Sequence, residues 1–205
     1  MNLFARPLLL LCLLCPLTAW ADASSAAPEP AALASRPDGA VIASAHHLAT
    51  EAGHELLAAG GNAFDAAVAV SAALSVVEPI SSGLGGGGFF LLHDAATGRD
   101  TMIDARETAP ASGVPTAYLD KDGNLDRDRS VNGPWAAGIP GLPAGLVHLS
   151  ENYGQLPLAR SLAPAIRIAR DGFPVYGRMA RGYASRAEVM ERYPGTRAVF
   201  LADGQ

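Results

Sequence analysis

The chain has 205 residues, 49% hydrophobic and 17% charged, with a net charge of −5 at neutral pH. That apolar share belongs to a globular protein with a real core rather than to a disordered chain, and the acidic balance argues against nucleic acid or an anionic membrane as partner. Both cysteines, Cys12 and Cys15, fall within the first 21 residues, which leaves no disulfide or thiolate chemistry to the remainder.

Residues 1–21 have the pattern of a signal peptide. Arg6 gives a short positive region, Leu8 to Leu17 an apolar stretch too short to span a bilayer, and Ala19-Trp20-Ala21 a cleavage site of A-x-A form. A lipoprotein signal would use Cys12 or Cys15, yet each follows Leu rather than a small residue. The expectation is a bacterial periplasmic or secreted protein, with no membrane attachment after cleavage. Residues 22–38 carry Ser, Ala and Pro and are expected to form a flexible leader. Residues 39–205 then make one folded segment.

Ala40 to Ser44 is a short apolar run expected to be a buried strand. A helix is expected from Leu48 to Ala59, stopped by Gly60-Gly61, where a left-handed cap needs glycine. Asn62 opens a second helix, with Asp65 three residues on as an aspartate version of the capping box. Its body, Ala63 to Val77, is nearly all Ala, Val, Leu and Ser, apolar on most faces, and so is expected to be buried. Phe89 to His93 and Asp100 to Asp104 form a hairpin around a turn at Asp94 to Gly98. Helices are expected at Pro140 to Tyr153, Pro157 to Asp171 and Tyr176 to Tyr193. Ala198 to Gln205 has the look of a strand running into a turn with nothing after it, the mark of an N-terminal piece of a longer chain. Helices grouped around a hairpin indicate an α+β class rather than an alternating βαβ series.

Gly83-Leu-Gly-Gly-Gly-Gly88 satisfies the pattern G-x-G-x-x-G, but a dinucleotide loop leaves a strand and opens a helix. Here the order is reversed, and no Lys-Ser or Lys-Thr follows as in a P-loop. The run is therefore a tight lead-in to a strand, at a place where other backbone approaches closely. The Asp120 to Asp128 stretch fits an EF-hand loop at positions 1, 3 and 5, but Leu125 and Val131 stand where Gly and Glu are required; a polar turn is the better reading. His46 and His47 would point apart on a strand, His54-Glu55 lacks a second histidine, and His93 and His148 are isolated, so no metal spacing appears. Ser81 and Ser82 have no identifiable base, and no G-x-S-x-G occurs. Arg106 stands between a strand end and Pro110, where its planar guanidinium can grip a carboxylate with two bonds. From spacing alone, a salt bridge to Asp104 or Glu107 is the leading reading.

Five blocks, in order, resemble the γ-glutamyltransferase family, also called γ-glutamyltranspeptidase or glutathione hydrolase. They are Gly60 to Val70, Gly83 to Phe89, Asp104-Ala-Arg-Glu-Thr-Ala-Pro110, Gly138-Ile-Pro-Gly141 and Ala169-Arg-Asp-Gly-Phe173. The resemblance implies an N-terminal-nucleophile hydrolase, an αββα sandwich that is incomplete in this fragment, formed from a precursor that cleaves itself into a large and a small subunit. It implies that Arg106 binds the α-carboxylate of a γ-glutamyl substrate such as glutathione, whose acyl group passes to water, an amino acid or a peptide. The nucleophilic Thr lies beyond Gln205, in the missing small-subunit segment, so no catalytic residue falls within these residues and the fragment alone is expected to be inactive. No cofactor and no metal is implied. Two alternatives share the scaffold: a related amidase of β-lactam acylase type, and a non-catalytic binding domain.

Overall fold

A computed structural model describes residues 39–201; the expected signal peptide and leader, and residues 202–205, lie outside the described residues. Contacts divide the chain into Met1–Ala40 and Val41–Gln205, and every described helix and strand belongs to the second unit.

The order is α1 (His47–Ala58), α2 (Ala63–Val77), the hairpin β1 (Gly88–Asp94) and β2 (Arg99–Ala105), α3 (Arg127–Val131), α4 (Leu142–Tyr153), α5 (Leu158–Asp171), α6 (Gly177–Ala184), α7 (Ala187–Glu191) and α8 (Pro194–Phe200). The class is α+β, as the sequence indicated. Among the described residues no helix is long and apolar enough to cross a membrane.

Helix α2 is the centre of the packing, with α1, α4 and α5 against it. Its lack of a polar face explains why: it has apolar surface to bury in every direction. Val68, Ala69 and Ala73 of α2 join Leu56 of α1, Leu146 and Leu149 of α4, and Ala165 of α5 in one core. Large side chains such as Leu56, Val68 and Leu149 contribute about 1.5–3 kcal/mol each by leaving water.

The N-terminus of α2 is pinned by more than its expected cap. The Asn62 side chain accepts the N–H groups of Phe64 and Asp65, and Asp65 accepts the N–H of Asn62 at 2.9 Å, closing the capping box. The Asp65 carboxylate, fully buried, also accepts the N–H groups of Gln155 at 3.0 Å and Leu156 at 3.2 Å. Asn62 Nδ2 donates to the Tyr153 carbonyl at 2.7 Å. One two-residue device thus caps α2 and fastens it to the α4–α5 connection some ninety residues away. A buried carboxylate is tolerated here because backbone donors and the helix dipole both favour its charge.

The hairpin is antiparallel with Gly88 opposite Ala105 and Asp94 opposite Arg99, and Gly98 takes a positive φ of 67° in the turn. Phe90, Leu92 and Ile103 face the helical core. Phe89, Leu91 and Met102 are exposed on the other face.

Three expectations are corrected. Residues 41–44 form no strand, since no described neighbour pairs with them; burial still alternates along them, with Val41 exposed and Ile42 partly covered. The single helix expected at Tyr176 to Tyr193 is two, α6 and α7, broken at Ser185 and Arg186. Residues 194–200 are helical, not a strand: Pro194 occupies the first turn, where its fixed φ suits a helix start.

Replacing Asp65 by Ala strands three backbone N–H groups in a buried site. It is expected to lower stability by about 3–5 kcal/mol, read as a shift of the urea midpoint with an unchanged slope.

Candidate functional site

Three of the sequence blocks converge on Arg106. The glycine run ends at Gly87, directly against the Arg106 backbone: a Cβ on Gly87 would lie 2.5 Å from the Glu107 nitrogen, and 2.6 Å from both the Ala105 oxygen and the Arg106 Cα. A Cβ on Gly141 would likewise strike the carbonyl oxygens of Ala105 and Arg106. The two glycine segments are themselves joined, because the Gly86 carbonyl accepts the N–H groups of Gly141 and Leu142, both at 3.1 Å. Thr108 and Ile139 exchange backbone hydrogen bonds at 3.1 and 2.8 Å, continuing β2's chain onto the Gly138–Gly141 segment. The close approach expected of the glycine run is therefore present, and its partner is the backbone of Arg106.

With its backbone confined, Arg106 projects its side chain into the open. The guanidinium sits 5.8 Å from the centroid of the exposed Phe89 ring. The side chain is 55% exposed. Its Nε donates to Glu107 Oε2 at 3.2 Å and its Nη2 to Glu107 Oε1 at 2.8 Å, a fork-to-carboxylate pair. Asp104 does not take the guanidinium; its Oδ1 accepts the Arg106 backbone N–H at 3.0 Å. Of the two salt bridges open from spacing, the one to Glu107 forms. The hydrogen bond from Arg106 holds the Glu107 carboxyl below the usual glutamate range, and the same bond raises Arg106. A depressed carboxyl works in one direction only: the pair is intact at neutral pH and is lost as pH falls through the lowered Glu107 value.

The glycine run also borders a cleft of about 510 Å³ lined by Ser81, Ser82, Gly85 to Gly88 and Phe89, but not by Arg106. Ser81 Oγ accepts a hydrogen bond from Arg178 at 3.3 Å, which is no base for a nucleophile.

The remaining candidates hold structural positions. Asp120 accepts the N–H groups of Asp122 and Asn124, both at 2.9 Å, and these backbone donors lower its pKa. Asp126 caps α3, and Asp128 is gripped by both Nη atoms of Arg192. The stretch is a polar turn, closed by the pairing of Leu119 with Leu125. His93 pairs with Asp100 at 2.8 Å on the exposed face of the hairpin, His148 contacts Asn152, and His54 is exposed on α1. His46 and His47 do not point apart: their rings stack 4.6 Å apart, because the chain turns into α1 at His47 while the extended His46 caps that helix through Nδ1. Among the described residues no group of three or more His, Cys, Asp or Glu side chains is placed to hold a metal.

One polar group had no sequence signal. Glu78 closes α2, is 97% buried by its 3% exposure, and accepts a hydrogen bond on Oε1 from the Tyr176 hydroxyl. Nothing within a run of apolar residues marks such a partner, which lies 98 positions along the chain.

Gly87→Ala forces the Arg106 backbone aside and is expected to lower stability by about 1–3 kcal/mol, whereas Gly85→Ala, whose Cβ meets nothing within 4 Å, should stay within about 0.5 kcal/mol. Thermal unfolding of the two variants checks the contrast.

The geometry has counterparts in known proteins. Residues 49–205 match the family profile Gamma-glutamyltranspeptidase. The chain is 40% identical over 168 residues to the glutathione hydrolase proenzyme of Escherichia coli K12, covering 80% of this chain and 28% of that protein. It is 39% identical over 171 residues to the Acylase ACY 1 proenzyme of Pseudomonas sp. V22, covering 80% of this chain and 30% of that one. The crystal structure of Helicobacter pylori gamma-glutamyltranspeptidase superposes with a TM-score of 0.76 at 37% identity, over 82% of this chain and 49% of that chain. The chain thus spans under a third of the curated relatives it matches. With three glycine-bounded segments meeting at one arginine, and matches that run through all of them, the chain belongs to the gamma-glutamyltranspeptidase family.

Proposed function

We propose that this chain is the N-terminal part of the large subunit of a γ-glutamyltranspeptidase precursor, and that Arg106 holds the α-carboxylate of the γ-glutamyl donor. The observation that carries the reading is the Arg106–Glu107 fork. It displays a guanidinium already arranged for two parallel bonds to a carboxylate, on a backbone packed closely against Gly87 and Gly141. A substrate carboxylate would replace that of Glu107 at little expense, since the attraction of an exposed ion pair is screened by water and salt.

In this reading the donor is glutathione or another γ-glutamyl amide, and the acyl group moves to water, an amino acid or a peptide. The nucleophilic Thr belongs to a segment beyond Gln205, so this chain's part is to bind and orient rather than to attack, and alone it is inactive. The exposed apolar face formed by Phe89, Leu91 and Met102 supports a second sheet layer over the hairpin, as in an αββα sandwich. The pattern of residues 1–21 supports export to the periplasm or the medium. A second reading keeps the frame and changes the substrate: the 39% identity to Acylase ACY 1 proenzyme favours an amidase acting on a different acyl group.

In a full-length family member carrying this segment, Arg106→Lys replaces a planar fork by a point charge. KM for γ-glutamyl-p-nitroanilide is expected to rise about tenfold or more, with kcat much less affected, as for an interaction made equally in the ground and transition states. An unchanged KM removes Arg106 from the glutamyl site; turnover of an acyl-lactam with no turnover of the γ-glutamyl probe selects the amidase.

A further inference from the structure

Helix α2 carries a buried carboxylate at each end, and the two are in opposite electrostatic situations. Asp65 at the N-terminus faces backbone donors and the positive end of the dipole. Glu78 at the C-terminus faces the negative end. It is as deeply buried, yet among the described residues only the Tyr176 hydroxyl donates to it, and Oε2 has no hydrogen-bond partner. One donor for a buried carboxyl with an unbonded oxygen is poor pairing, so stability does not account for this side chain here.

Its location does. Glu78 is the last residue before the loop that becomes the glycine run. Its backbone carbonyl accepts the N–H groups of Ser81 at 2.9 Å and Ser82 at 2.7 Å, starting the turn. The loop is tied next at Gly86, whose carbonyl holds Gly141 and Leu142, and then at Gly87 against the Arg106 backbone. Among the described residues, between Glu78 and Gly86 only the contact of Ser81 with Arg178 joins a loop side chain to another element by a hydrogen bond. The Tyr176 hydroxyl, which also lies 3.1 Å from the Val77 carbonyl, anchors the base of this loop to the chain segment before α6.

We infer that the Glu78–Tyr176 hydrogen bond is a positioning device for Arg106, setting the loop 79–88 at the height that lets Gly87 seat the arginine backbone. Burial, and then the bond to Glu78, push the Tyr176 hydroxyl up to about 12, so it remains a donor throughout the neutral range. The groups facing the pair are His46, whose ring centroid lies 5.4 Å from that of Tyr176, and Arg178 and Tyr183 from α6. His46 is held below the ordinary histidine value by burial and by His47, which favours the uncharged ring and leaves the Tyr176 bond as the principal partner of Glu78.

The inference rests on the glutamyl-site reading of Arg106, and the test separates the two. In a full-length family member carrying this segment, Tyr176→Phe should raise KM for γ-glutamyl-p-nitroanilide about fivefold, with kcat within about twofold. Glu78→Gln keeps an oxygen for the Tyr176 hydroxyl and should leave KM within about twofold of the parent. In an Arg106→Lys background, Tyr176→Phe should add less than about twofold, because both changes act through one group. Should the stranded carboxylate prevent Tyr176→Phe from accumulating, the Glu78→Gln/Tyr176→Phe pair removes the same bond without a buried charge and carries the same expectation. A Tyr176→Phe protein with lowered Tm and unchanged KM overturns the inference, as does a full fivefold effect on top of Arg106→Lys. An Arg106→Lys variant with unchanged KM instead overturns the glutamyl-site reading itself.

Discussion

Everything near Arg106 depends on a steric exclusion: the peptides around this residue lie against two joined glycine segments with no space for a side chain. Gly87 and Gly141 both lie against the Arg106 backbone, and the Gly86 carbonyl bonds to Gly141 and Leu142. Interdigitated backbone of this kind is stiff, because hydrogen-bonded main chain does not change rotamer as side chains do. The arginine's origin is therefore fixed, while its long side chain stays in solvent. That division suits a recognition residue, whose guanidinium must be found repeatedly in one place with no packing against its head group.

The occupant of the fork then becomes the deciding matter. Glu107 is the adjacent residue, so its carboxylate is present at high effective concentration, yet the pair is exposed and its attraction is screened by water and salt. An arginine buried with a carboxylate could not exchange it without stranding a charge. Here exchange strands nothing: Glu107, once released, is solvated. The Phe89 ring beside the guanidinium contributes a weak further attraction and walls off one side of the approach. The arrangement is a guanidinium kept in position by a partner that is easily displaced.

Much of this was legible in the residues. The aspartate form of the capping box at Asn62 and Asp65, the helix stop at Gly60 and the hairpin from Phe89 to Asp104 depend on neighbours in sequence, and each formed where its local signal stood. The glycine run could be read as a close-approach point from its position between helix and strand, although the identity of the approaching backbone could not. What failed was non-local. A strand needs a partner, and residues 41–44 have none among the described residues. In residues 194–200 the apolar side chains Ala198, Val199 and Phe200 are contiguous and set no period, and Pro194 at the first turn favoured the helix. The histidine pair stacks because His46 caps a helix, a role that no histidine spacing announces. Glu78 and Tyr176 are separated by nearly a hundred residues, with no periodicity linking them.

The two ends of α2 show how such a non-local pair can be weighed physically. A carboxylate that completes a capping box is explained by the helix it caps, and its other bonds to Gln155 and Leu156 add tertiary fastening to a local motif. A carboxylate buried at the opposite end, against the dipole and with one oxygen unbonded, has no such local explanation. Glutamine here would keep the oxygen that accepts from Tyr176, so what the position supplies to its neighbours is that acceptor. Its nearest covalent neighbour in function is the loop leading to Gly87, and through Gly87 the backbone of Arg106. In the proposed positioning role, the hydrogen bond at the base of that loop and the steric exclusion at its tip act as one constraint.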